Sequence, residues 1–412
     1  MSKLSESHST QRRSPKRAVE SATVAKAILA EPWDYADSET QYLTHNIHRY
    51  SGKFIPQIAA RAISILTREG ELVLDPYCGS GTTLLEAALS GRHAVGLDLN
   101  PLAVLIARTK VTPVDPEKLS WLTDTMTSKL AEDGQMLLMA PGDNDGKKSE
   151  ARTIVGDARL ENPRFLKWFA RPILTDLVRI DHQISSIADP QLRNIALVAF
   201  SDILRRSSNA HSGYPNVMFD KKAPPRPRPI QPFLASLRRV AKMVAMLANA
   251  GSTQNMPEVL EGNATSIPID KCSVDAVVSH PPYIGSIPYA EYGTLSLLWL
   301  GIDSRELDAR LTGGRRQSAD VVQRFRDDYG RMLRETQRIL RAGRFAFLMV
   351  GSPVVRGEII NLPQMTKTLA AQAGLRLVVE TTRKGMNRRA NKMGSESILV
   401  FEKPEIKPPT TT

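Results

Sequence analysis

Five consecutive residues, Ser279-His280-Pro281-Pro282-Tyr283, combine a hydrogen-bond acceptor, two prolines and an aromatic ring. Two prolines cannot continue a sheet ladder, so the chain leaves the apolar run DAVV (275–278) in an extended conformation. A side-chain acceptor and a proline carbonyl can hold the hydrogens of an exocyclic base amine and localise its lone pair for attack on a methyl group, while an aromatic ring stacks on the extruded base. The segment therefore predicts amine chemistry by His280, Pro281 and Tyr283; the alternative is a proline-rich loop without chemistry.

A second pattern that predicts function is the small-residue loop in LDPYCGSGTTL (74–84), which follows an apolar run and leads into a helical pattern. Glycine is needed where a Cβ would block the approach of a ligand to backbone N–H groups at a helix N-terminus. A phosphate loop is the rival interpretation, but no Gly-Lys-Ser/Thr follows. Asp98 ends the next apolar run, and an acid at that place grips a ribose diol in nucleotide-binding α/β sheets. The loop and Asp98 together predict a nucleoside-containing cofactor.

These residues need a scaffold that brings strand ends together. Seven short runs rich in leucine or β-branched residues predict strands over 71–77, 93–99, 258–264, 275–283, 344–351, 376–383 and 397–403. Helical spacing of apolar residues over 55–66 and 83–91 separates some of them. We therefore expect an α/β fold with a mostly parallel sheet that is covered on both faces.

A long interval from Val111 to about Pro257 breaks this alternation and predicts helices over 121–139, 165–187, 191–206 and 233–249. It contains the Pro-rich connector KKAPPRPRPIQP (221–232), which we expect to be extended. Basic residues are concentrated between Arg205 and Val244, and the whole chain carries a net charge of +12, which favours a polyanionic partner. We predict that this helical insertion contacts a nucleic acid through Arg226, Arg228, Arg238 and Arg239.

The alternative target-reading segment is RKGMNRRANK (383–392), with Lys384, Arg388 and Arg389 as candidate DNA contacts. A solvated turn between two strands is the competing interpretation of this segment.

The motifs together resemble the S-adenosylmethionine-dependent DNA amino-methyltransferases, which modify N4 of cytosine or N6 of adenine. The resemblance runs from about Thr44 to Lys403. For the cofactor, HRYSGKFIPQ (48–57) is similar to the motif over its methionine end, DPYCGSGTT to the cofactor loop, GLDLNP to the ribose-binding acid and EGNATSIP to the adenine-side segment. For catalysis, SHPPY is similar to the catalytic motif and YAEYGTLSLLWLG (289–301) to the stretch after it, and ESILVFEK is similar to the closing strand.

The resemblance implies a Rossmann-like seven-stranded methyltransferase sheet with a mostly helical insertion. It implies cofactor-binding roles for Lys53, Phe54, Asp75, Pro76, Gly79, Gly81, Thr82, Asp98 and Asn263, and catalytic roles for His280, Pro281, Pro282, Tyr283 and Ser279. S-adenosylmethionine is the implied cofactor, no metal is required, and DNA with a flipped target base is the implied partner. A cognate restriction endonuclease is a further candidate partner.

Three positions depart from or compete with the family pattern. His280 stands where the family has Asp, Asn or Ser before Pro-Pro, with Ser279 one place earlier; a neutral imidazole offers one acceptor nitrogen. Asn263 stands where the family often has Asp, and its amide oxygen can still accept from an adenine amine. The Gly-Asp-Ala at 156–158 competes for the adenine-side role, and we prefer Asn263 because it lies twenty residues before Tyr283 on the preceding strand.

Several features of the sequence exclude other chemistries and other classes of protein. Two cysteines cannot build a four-cysteine zinc site, and neither Cys78 nor Cys272 follows a proline as the nucleophile of cytosine-C5 methylation does. His45 and His48 are expected at the surface or beside the cofactor and not as metal ligands. The sequence has no apolar run long enough to cross a bilayer and no secretory signal, so we expect a cytoplasmic protein.

The domain prediction is a disordered basic tail and lead-in over 1–40, a methyltransferase domain from 41–112 and 255–403, a helical insertion over 113–254, and a disordered tail over 404–412. Ser279 and the 289–301 context favour N4 of cytosine slightly over N6 of adenine. Open alternatives are an RNA amino-methyltransferase, a protein-glutamine methyltransferase, and a DNA-binding protein with an inactive methyltransferase fold.

Overall fold

The computed structural model describes residues 20–136, 154, 156–214, 216–251, 255–285, 288–314, 318–384 and 395–405. Its strands span Leu72–Asp75 (β1), His93–Asp98 (β2), Glu258–Glu261 (β3), Val274–Ser279 (β4), Leu340–Gly351 (β5), Val354–Val355 (β6), Glu358–Ile359 (β7), Arg376–Lys384 (β8) and Ser395–Glu402 (β9). Its helices span Ser21–Leu29 (α1), Pro56–Leu66 (α2), Thr82–Leu89 (α3), Pro101–Val111 (α4), Pro116–Met136 (α5), Pro163–Trp168 (α6), Arg171–Ser185 (α7), Pro190–Leu204 (α8), Ile230–Asn249 (α9), Tyr289–Tyr292 (α10), Thr294–Trp299 (α11), Ser304–Arg310 (α12), Val321–Ile339 (α13) and Leu362–Gln372 (α14).

Seven strands form one twisted sheet in the order β3-β2-β1-β4-β5-β9-β8. The pairs from β3 to β5 are parallel, and β9 runs antiparallel to both β5 and β8. This is the Rossmann-like seven-stranded sheet, so the predicted fold class is confirmed. Because β1, β2 and β4 are parallel neighbours, their carboxyl ends bring the glycine loop, Asp98 and the Ser279–Tyr283 segment to the same edge.

Both faces of the sheet are covered, as expected for parallel strands. Alternate residues of β4 point to opposite sides: Ala276 and Val278 pack with α1, α2 and α3, whereas Val277 packs with α13 and α14. Burial on both sides explains why this strand is a continuous apolar run interrupted only by Asp275, whose carboxylate accepts a hydrogen bond from the backbone of Leu72 at 2.9 Å.

The predicted insertion is helical where it is described, from α5 to α9, and its apolar core includes Leu102 and Ile106 of α4. The run at 165–187, predicted as one helix, is two, because Pro172 lies in the first turn of α7 and lacks the N–H that a continuous helix requires. The connector predicted to be extended over 221–232 has no helix or strand from 223 to 228, but its last residues are helical, because α9 begins at Ile230. The domain boundaries stay a prediction.

The lead-in contains a helix that the sequence pattern did not reveal. In α1, Val24 and Ile28 are buried, and Ser21 donates to Glu402 of β9 at 2.7 Å. Residues 1–19 and 406–412, where disordered tails are predicted, lie outside the described residues. Within the described part of the chain, none of the helices combines the length and apolar character that a membrane crossing requires.

Candidate active site

A cavity of about 630 Å³ opens at the carboxyl ends of β1, β2 and β4. Four of the residues predicted to bind the cofactor line it, namely Pro76, Gly79, Asp98 and Asn263. His280 and Pro282 of the predicted catalytic segment line the same cavity. The fold therefore brings the predicted cofactor residues and the predicted amine acceptor into one space.

The glycine loop is shaped by backbone conformation and by close packing. Gly79 and Gly81 have φ angles of +49° and +80°, a region that favours glycine. A Cβ on Gly79 would lie 3.2 Å from the ring of Tyr50, and one on Gly81 would lie 3.0 Å from Cβ of Ala107. Packing against α4 and the positive φ angle are therefore two reasons for glycine at position 81, and Gly81 is not among the residues that line the cavity.

Asp98 is held at the cavity wall by two backbone donors. Its carboxylate accepts from N–H of Gly79 at 3.0 Å and from N–H of Asn100 at 2.8 Å. Burial raises the pKa of Asp98 to about 6, although these backbone hydrogen bonds oppose the increase. Each carboxylate oxygen has a second lone pair, so the side chain can still accept hydrogen bonds from a ligand.

His280 joins the cavity to a buried chain of hydrogen bonds. Its Nε2 lies 2.6 Å from the Tyr283 hydroxyl, which donates to Oε1 of Glu396 at 2.6 Å. Oε2 of the same carboxylate accepts from Arg383 at 2.6 Å. Nδ1 of His280 is buried and has no hydrogen-bond partner among the described residues.

Ser279, one residue earlier, points away from this cavity into the protein. It is fully buried, and its hydroxyl donates to Asp75 at 2.6 Å. Asp75 also accepts from the backbone N–H of Tyr77 at 3.1 Å, and burial raises its pKa. Neither Ser279 nor Asp75 lines the cavity, so Asp75 is placed to hold the two loops together and Ser279 is not positioned to receive a ligand amine.

The rest of the catalytic segment is arranged differently from the expectation. Tyr283, predicted to stack on an extruded base, is 4% exposed, and its hydroxyl is engaged with Glu396. Its ring lies edge-on to the His280 ring at 5.2 Å between centroids. The ring of Tyr283 does not line the cavity, so the predicted stacking role is not supported. Pro281 is buried, whereas Pro282 is partly exposed and lines the cavity.

Lys53 and Phe54 do not line the cavity either. The Lys53 ammonium donates to the carbonyls of His45 at 3.0 Å and His48 at 2.7 Å, and burial, followed by the charge of Arg239, lowers its pKa to about 8. The Phe54 ring lies 5.5 Å from the His280 ring. These residues shape the loop and support His280. Thr82 is buried at the start of α3.

Sequence reasoning missed several residues of the cavity wall. Two are Tyr50 and Tyr289, whose rings are 6.4 Å apart and nearly parallel; burial raises the pKa of both. The others are Gly52, Tyr77, Leu99, Asn100, Gly262, Ala264, Leu311 and Thr312. Tyr50 and Tyr289 lie inside motifs that the sequence did highlight, but the pairing of their rings depends on tertiary structure.

A second cavity, of about 1360 Å³ and open to solvent, shares Tyr50 and Tyr289 with the first. Four arginines line it: Arg49, Arg205, Arg206 and Arg226. Its wall is formed by the loop at 48–51, the end of α8, the segment that follows, and α10 with the start of α11. A basic cavity thus adjoins the cavity that contains His280.

The predicted DNA-binding arginines have intramolecular partners. Arg226 donates to the carbonyls of Ser208 at 2.9 Å and Ala210 at 3.1 Å, and Arg228 donates to buried Asp176 at 2.6 Å. Arg239 donates to the carbonyls of Asn46 and Ile47 and to Asp202, and exposed Arg238 donates to Thr127 at 3.2 Å. Only Arg226 of the four lines the basic cavity. Lys384 is exposed at the end of β8; Arg388 and Arg389 lie outside the described residues.

His45 and His48 are buried, so the expected surface position is wrong. His45 Nε2 lies 2.7 Å from Glu86, and His48 Nε2 lies 2.9 Å from the Ser201 hydroxyl. Asp157, in the competing Gly-Asp-Ala segment, caps the turn at 158–161 and pairs with Arg159 at 2.7 Å. It is outside the cavity, whereas Asn263 lines it. Among the described residues, no group of three or more His, Cys, Asp or Glu side chains could hold a metal ion.

Known proteins that are similar to this chain include DNA methyltransferases. A DNA methylase family model matches residues 5–109, which include the glycine loop and Asp98. The Type II methyltransferase M.MvaI of Kocuria varians is 24% identical over 436 residues, which cover 89% of this chain and 91% of the relative. The Type II methyltransferase M.MjaII of Methanocaldococcus jannaschii is 35% identical over 105 residues, or 24% of this chain and 20% of the relative.

Among solved structures, an S-adenosylmethionine-dependent methyltransferase of Methanosarcina mazei aligns with 83% of this chain and 97% of its own. Its sequence identity is 12% and its TM-score is 0.34. The fold assignment therefore rests on the strand order of this chain.

Proposed function

We propose that the chain, which is similar to DNA methylases, transfers a methyl group from S-adenosylmethionine to an exocyclic amine of DNA. The observation that carries this proposal is the single cavity lined by Asp98, Asn263 and His280. These three residues supply, in one space, the acceptors that the family motifs imply for ribose, adenine and target amine.

The donor set of the cavity fits the proposed cofactor. Asp98 retains lone pairs for ribose hydroxyls, and the Asn263 amide can pair with an adenine amine. The near-parallel rings of Tyr50 and Tyr289 offer faces that attract a cation. When bound, S-adenosylmethionine supplies a methyl group activated by a positively charged sulfur. Pro76 and Gly79 would bound the same space.

In the proposed reaction, the protein orients the amine and accepts its hydrogen bond. The lone pair of a base amine is delocalised into the ring, and an acceptor on one of its hydrogens localises that pair on nitrogen. His280 Nδ1 has the burial and the missing partner that such an acceptor needs. Positioning of this kind replaces a bimolecular encounter with a fixed geometry, which is a large part of what an enzyme can contribute to direct displacement.

We also propose that DNA approaches through the basic cavity. Its four arginines can neutralise phosphates, and Tyr50 and Tyr289 connect it with the cavity that holds His280. Aromatic faces between the two spaces suit a nucleotide that has left the duplex. Arg228, Arg238 and Arg239 do not line this cavity, so they are the weaker candidates among the predicted contacts.

Of the two base amines, we propose N4 of cytosine. The choice rests on the 289–301 segment, because the Ser279 hydroxyl is engaged with Asp75 and does not line the cavity. That segment forms α10 and α11, and its Tyr289 lines both cavities. Mass spectrometry of nucleosides from DNA modified by the protein decides between the bases. N4-methylcytosine supports the proposal, and N6-methyladenine as the sole product overturns this choice while leaving amine methylation intact.

The proposed substrate class is tested by incubating the protein with S-adenosylmethionine labelled at the methyl group and with unmodified genomic DNA, total RNA or protein extract. Genomic DNA offers every short recognition sequence, so the unknown target site is no obstacle. We expect label in DNA. Label in RNA or protein alone would overturn the DNA assignment, and cofactor binding without transfer to any of them would favour an inactive fold. The cytoplasmic location and a restriction partner stay predictions.

A further inference from the structure

The hydrogen bonds behind His280 have a fixed direction. The Glu396 carboxylate has no proton to donate, so the Tyr283 hydroxyl must give its only hydrogen to it over the 2.6 Å contact. The Tyr283 oxygen is then an acceptor for the His280 ring, whose Nε2 lies 2.6 Å away. A nitrogen in that contact must carry a hydrogen. His280 is therefore protonated on Nε2.

The charge of Glu396 is already balanced without His280. Arg383 pairs with it at 2.6 Å, and both side chains are buried at facing positions of β8 and β9. Arg383 is fixed further by the carbonyls of Trp33 at 3.1 Å and Asp34 at 3.3 Å. Burial would raise the pKa of Glu396, but the hydrogen bond and charge interaction with His280, the hydrogen bond from Tyr283 and the charge of Arg383 lower it to about 2. Glu396 thus stays an acceptor, and Arg383 already supplies it with one buried positive charge.

A neutral imidazole with a hydrogen on Nε2 has its lone pair on Nδ1. Nδ1 is the buried atom that lacks a partner among the described residues, on a ring that lines the cofactor cavity. Buried polar atoms almost always have a partner, so one without it in a cavity marks a place that a ligand completes.

We propose that Glu396 and Tyr283 are positioning residues that hold His280 as the Nε2-protonated tautomer, so that Nδ1 accepts a hydrogen bond from the target amine. We call the series of hydrogen bonds from Glu396 through Tyr283 to His280 the relay. The relay lets His280 act as the acceptor, a role that Asp, Asn or Ser has in the family motif. It also gives Tyr283 a role in place of base stacking. Only the identity of the amine rests on the proposed function; the tautomer does not.

The tautomer is measured directly by nitrogen NMR on protein labelled with ¹⁵N-histidine, with His280→Asn used to assign the signal. We expect His280 to show a protonated Nε2 and an unprotonated Nδ1, and Tyr283→Phe to shift the ring toward a mixture of tautomers. A protonated Nδ1, either as the other tautomer or as imidazolium, would overturn the proposal. Because this measurement needs no turnover, it stands even if the chain proves to methylate another substrate.

A kinetic cycle tests the consequence for catalysis. Tyr283→Phe removes only the hydroxyl, and we expect kcat for methyl transfer to fall by about tenfold with KM for the cofactor unchanged. In the His280→Asn background the same change should have little effect, because an amide oxygen needs no tautomer selection. Tyr42→Phe, which removes a hydroxyl bonded to Glu86 away from the cavity, is the matched control with unchanged kcat.

Glu396→Gln should behave as Tyr283→Phe does, and Tyr283→Phe remains informative if loss of the Arg383 partner prevents that variant from folding. An equal loss in the wild-type and His280→Asn backgrounds would show that Tyr283 acts independently of His280 and would contradict the relay. If no variant, including wild type, transfers methyl to DNA, the proposed function fails and the NMR result decides the relay alone.

Discussion

The molecule contains two clusters with the same three residue types, tyrosine, histidine and glutamate, and they are built differently. In the first, Tyr42 and His45 both contact Oε1 of Glu86, at 2.6 and 2.7 Å. In the second, the contacts run in series from His280 through Tyr283 to Glu396. The side chain of His45 is 2% exposed and that of His280 is 14% exposed.

The two clusters have the same residue types, so the order in which the three side chains contact each other determines which histidine nitrogen is left for a ligand. In the first cluster Nε2 of His45 faces the carboxylate itself, beneath the loop that Lys53 fastens to the carbonyls of His45 and His48. In the second, the tyrosine hydroxyl contacts both the histidine and the carboxylate, whose Nε2 and Oε1 atoms are 3.6 Å apart. The opposite nitrogen, on a ring that lines a cavity, has no partner among the described residues. The first cluster therefore stabilises the loop, and the second presents an acceptor.

The largest expected effect is on turnover at His280. His280→Ala should lower the rate of methyl transfer by about a hundredfold or more, because one preorganised polar contact at a reacting group is removed. Cofactor affinity should stay close to that of the wild type. His280→Asn should retain more activity than His280→Ala. Single-turnover rates with genomic DNA check both, and a larger loss from Ser279→Ala than from His280→Ala would move the acceptor to Ser279.

The second prediction concerns Asp98, which tests cofactor binding independently of His280. Asp98→Ala should weaken cofactor binding by about tenfold or more, since a charge-assisted hydrogen-bond acceptor is lost. Calorimetry with S-adenosylmethionine measures the affinity, with circular dichroism to confirm folding. Unchanged affinity in a folded variant would remove Asp98 from the ribose site.

Because the pKa of Asp98 is raised, the affinity for the cofactor should also depend on pH. Burial places that pKa at about 6, so the carboxylate takes up a proton as pH falls below 6 and loses its charge. Cofactor affinity of the wild type should therefore decrease from pH 7 to pH 5. Asp98→Asn, which is neutral throughout, should show a weaker dependence; an identical pH profile for the two proteins would contradict the assignment.

For the cluster of Tyr42, His45 and Glu86 we expect an effect on the stability of the protein. His45→Ala leaves the buried Glu86 carboxylate without one donor and should lower the free energy of unfolding by about 1–3 kcal/mol. His45→Gln keeps an N–H donor and should cost less. Denaturant unfolding measures both, and a loss of turnover per folded molecule comparable to that of His280→Ala would erase the distinction between the two clusters.

Stability should also depend on pH through His45. Burial lowers the pKa of His45 below its unfolded value of about 6.5, so the folded protein binds this proton less readily than the unfolded chain. The contribution is present above pH 6.5 and is lost as pH falls below it. His48, whose pKa burial lowers to about 4, acts in the same window. His45→Gln should therefore reduce the slope of stability against pH without abolishing it.

The smallest expected effect concerns the arginines of the basic cavity. Arg206 has a 53% exposed side chain at the cavity, and Arg171 has a similar exposure, 58%, away from it. Arg206→Ala should weaken binding to DNA of any sequence and reduce the slope of log affinity against log salt by about one. Arg171→Ala is the control and should leave the slope unchanged. Equal slopes for the two variants would remove the cavity from the DNA path.

The sequence predicted the scaffold better than the site. Strand runs and their order along the chain are local signals, and the parallel sheet with Asp98 and the glycine loop at one edge followed from them. The roles of Tyr283 and Ser279 could not be predicted, because they depend on Glu396 and Asp75, which lie 113 and 204 residues away. Helix α1 and the pairing of Tyr50 with Tyr289 were missed for the same reason, since each is determined by long-range packing.

The central claim is that the cofactor and the acceptor nitrogen of His280 share one cavity. A crystal structure with sinefungin, an unreactive analogue that carries an amine in place of the sulfonium methyl, tests it most directly. We expect the ribose hydroxyls to meet Asp98, the adenine to lie beside Asn263, and the amine, which takes the place of the transferred methyl group, to point toward His280. An analogue bound elsewhere, or bound here with that amine directed away from His280, would contradict the account.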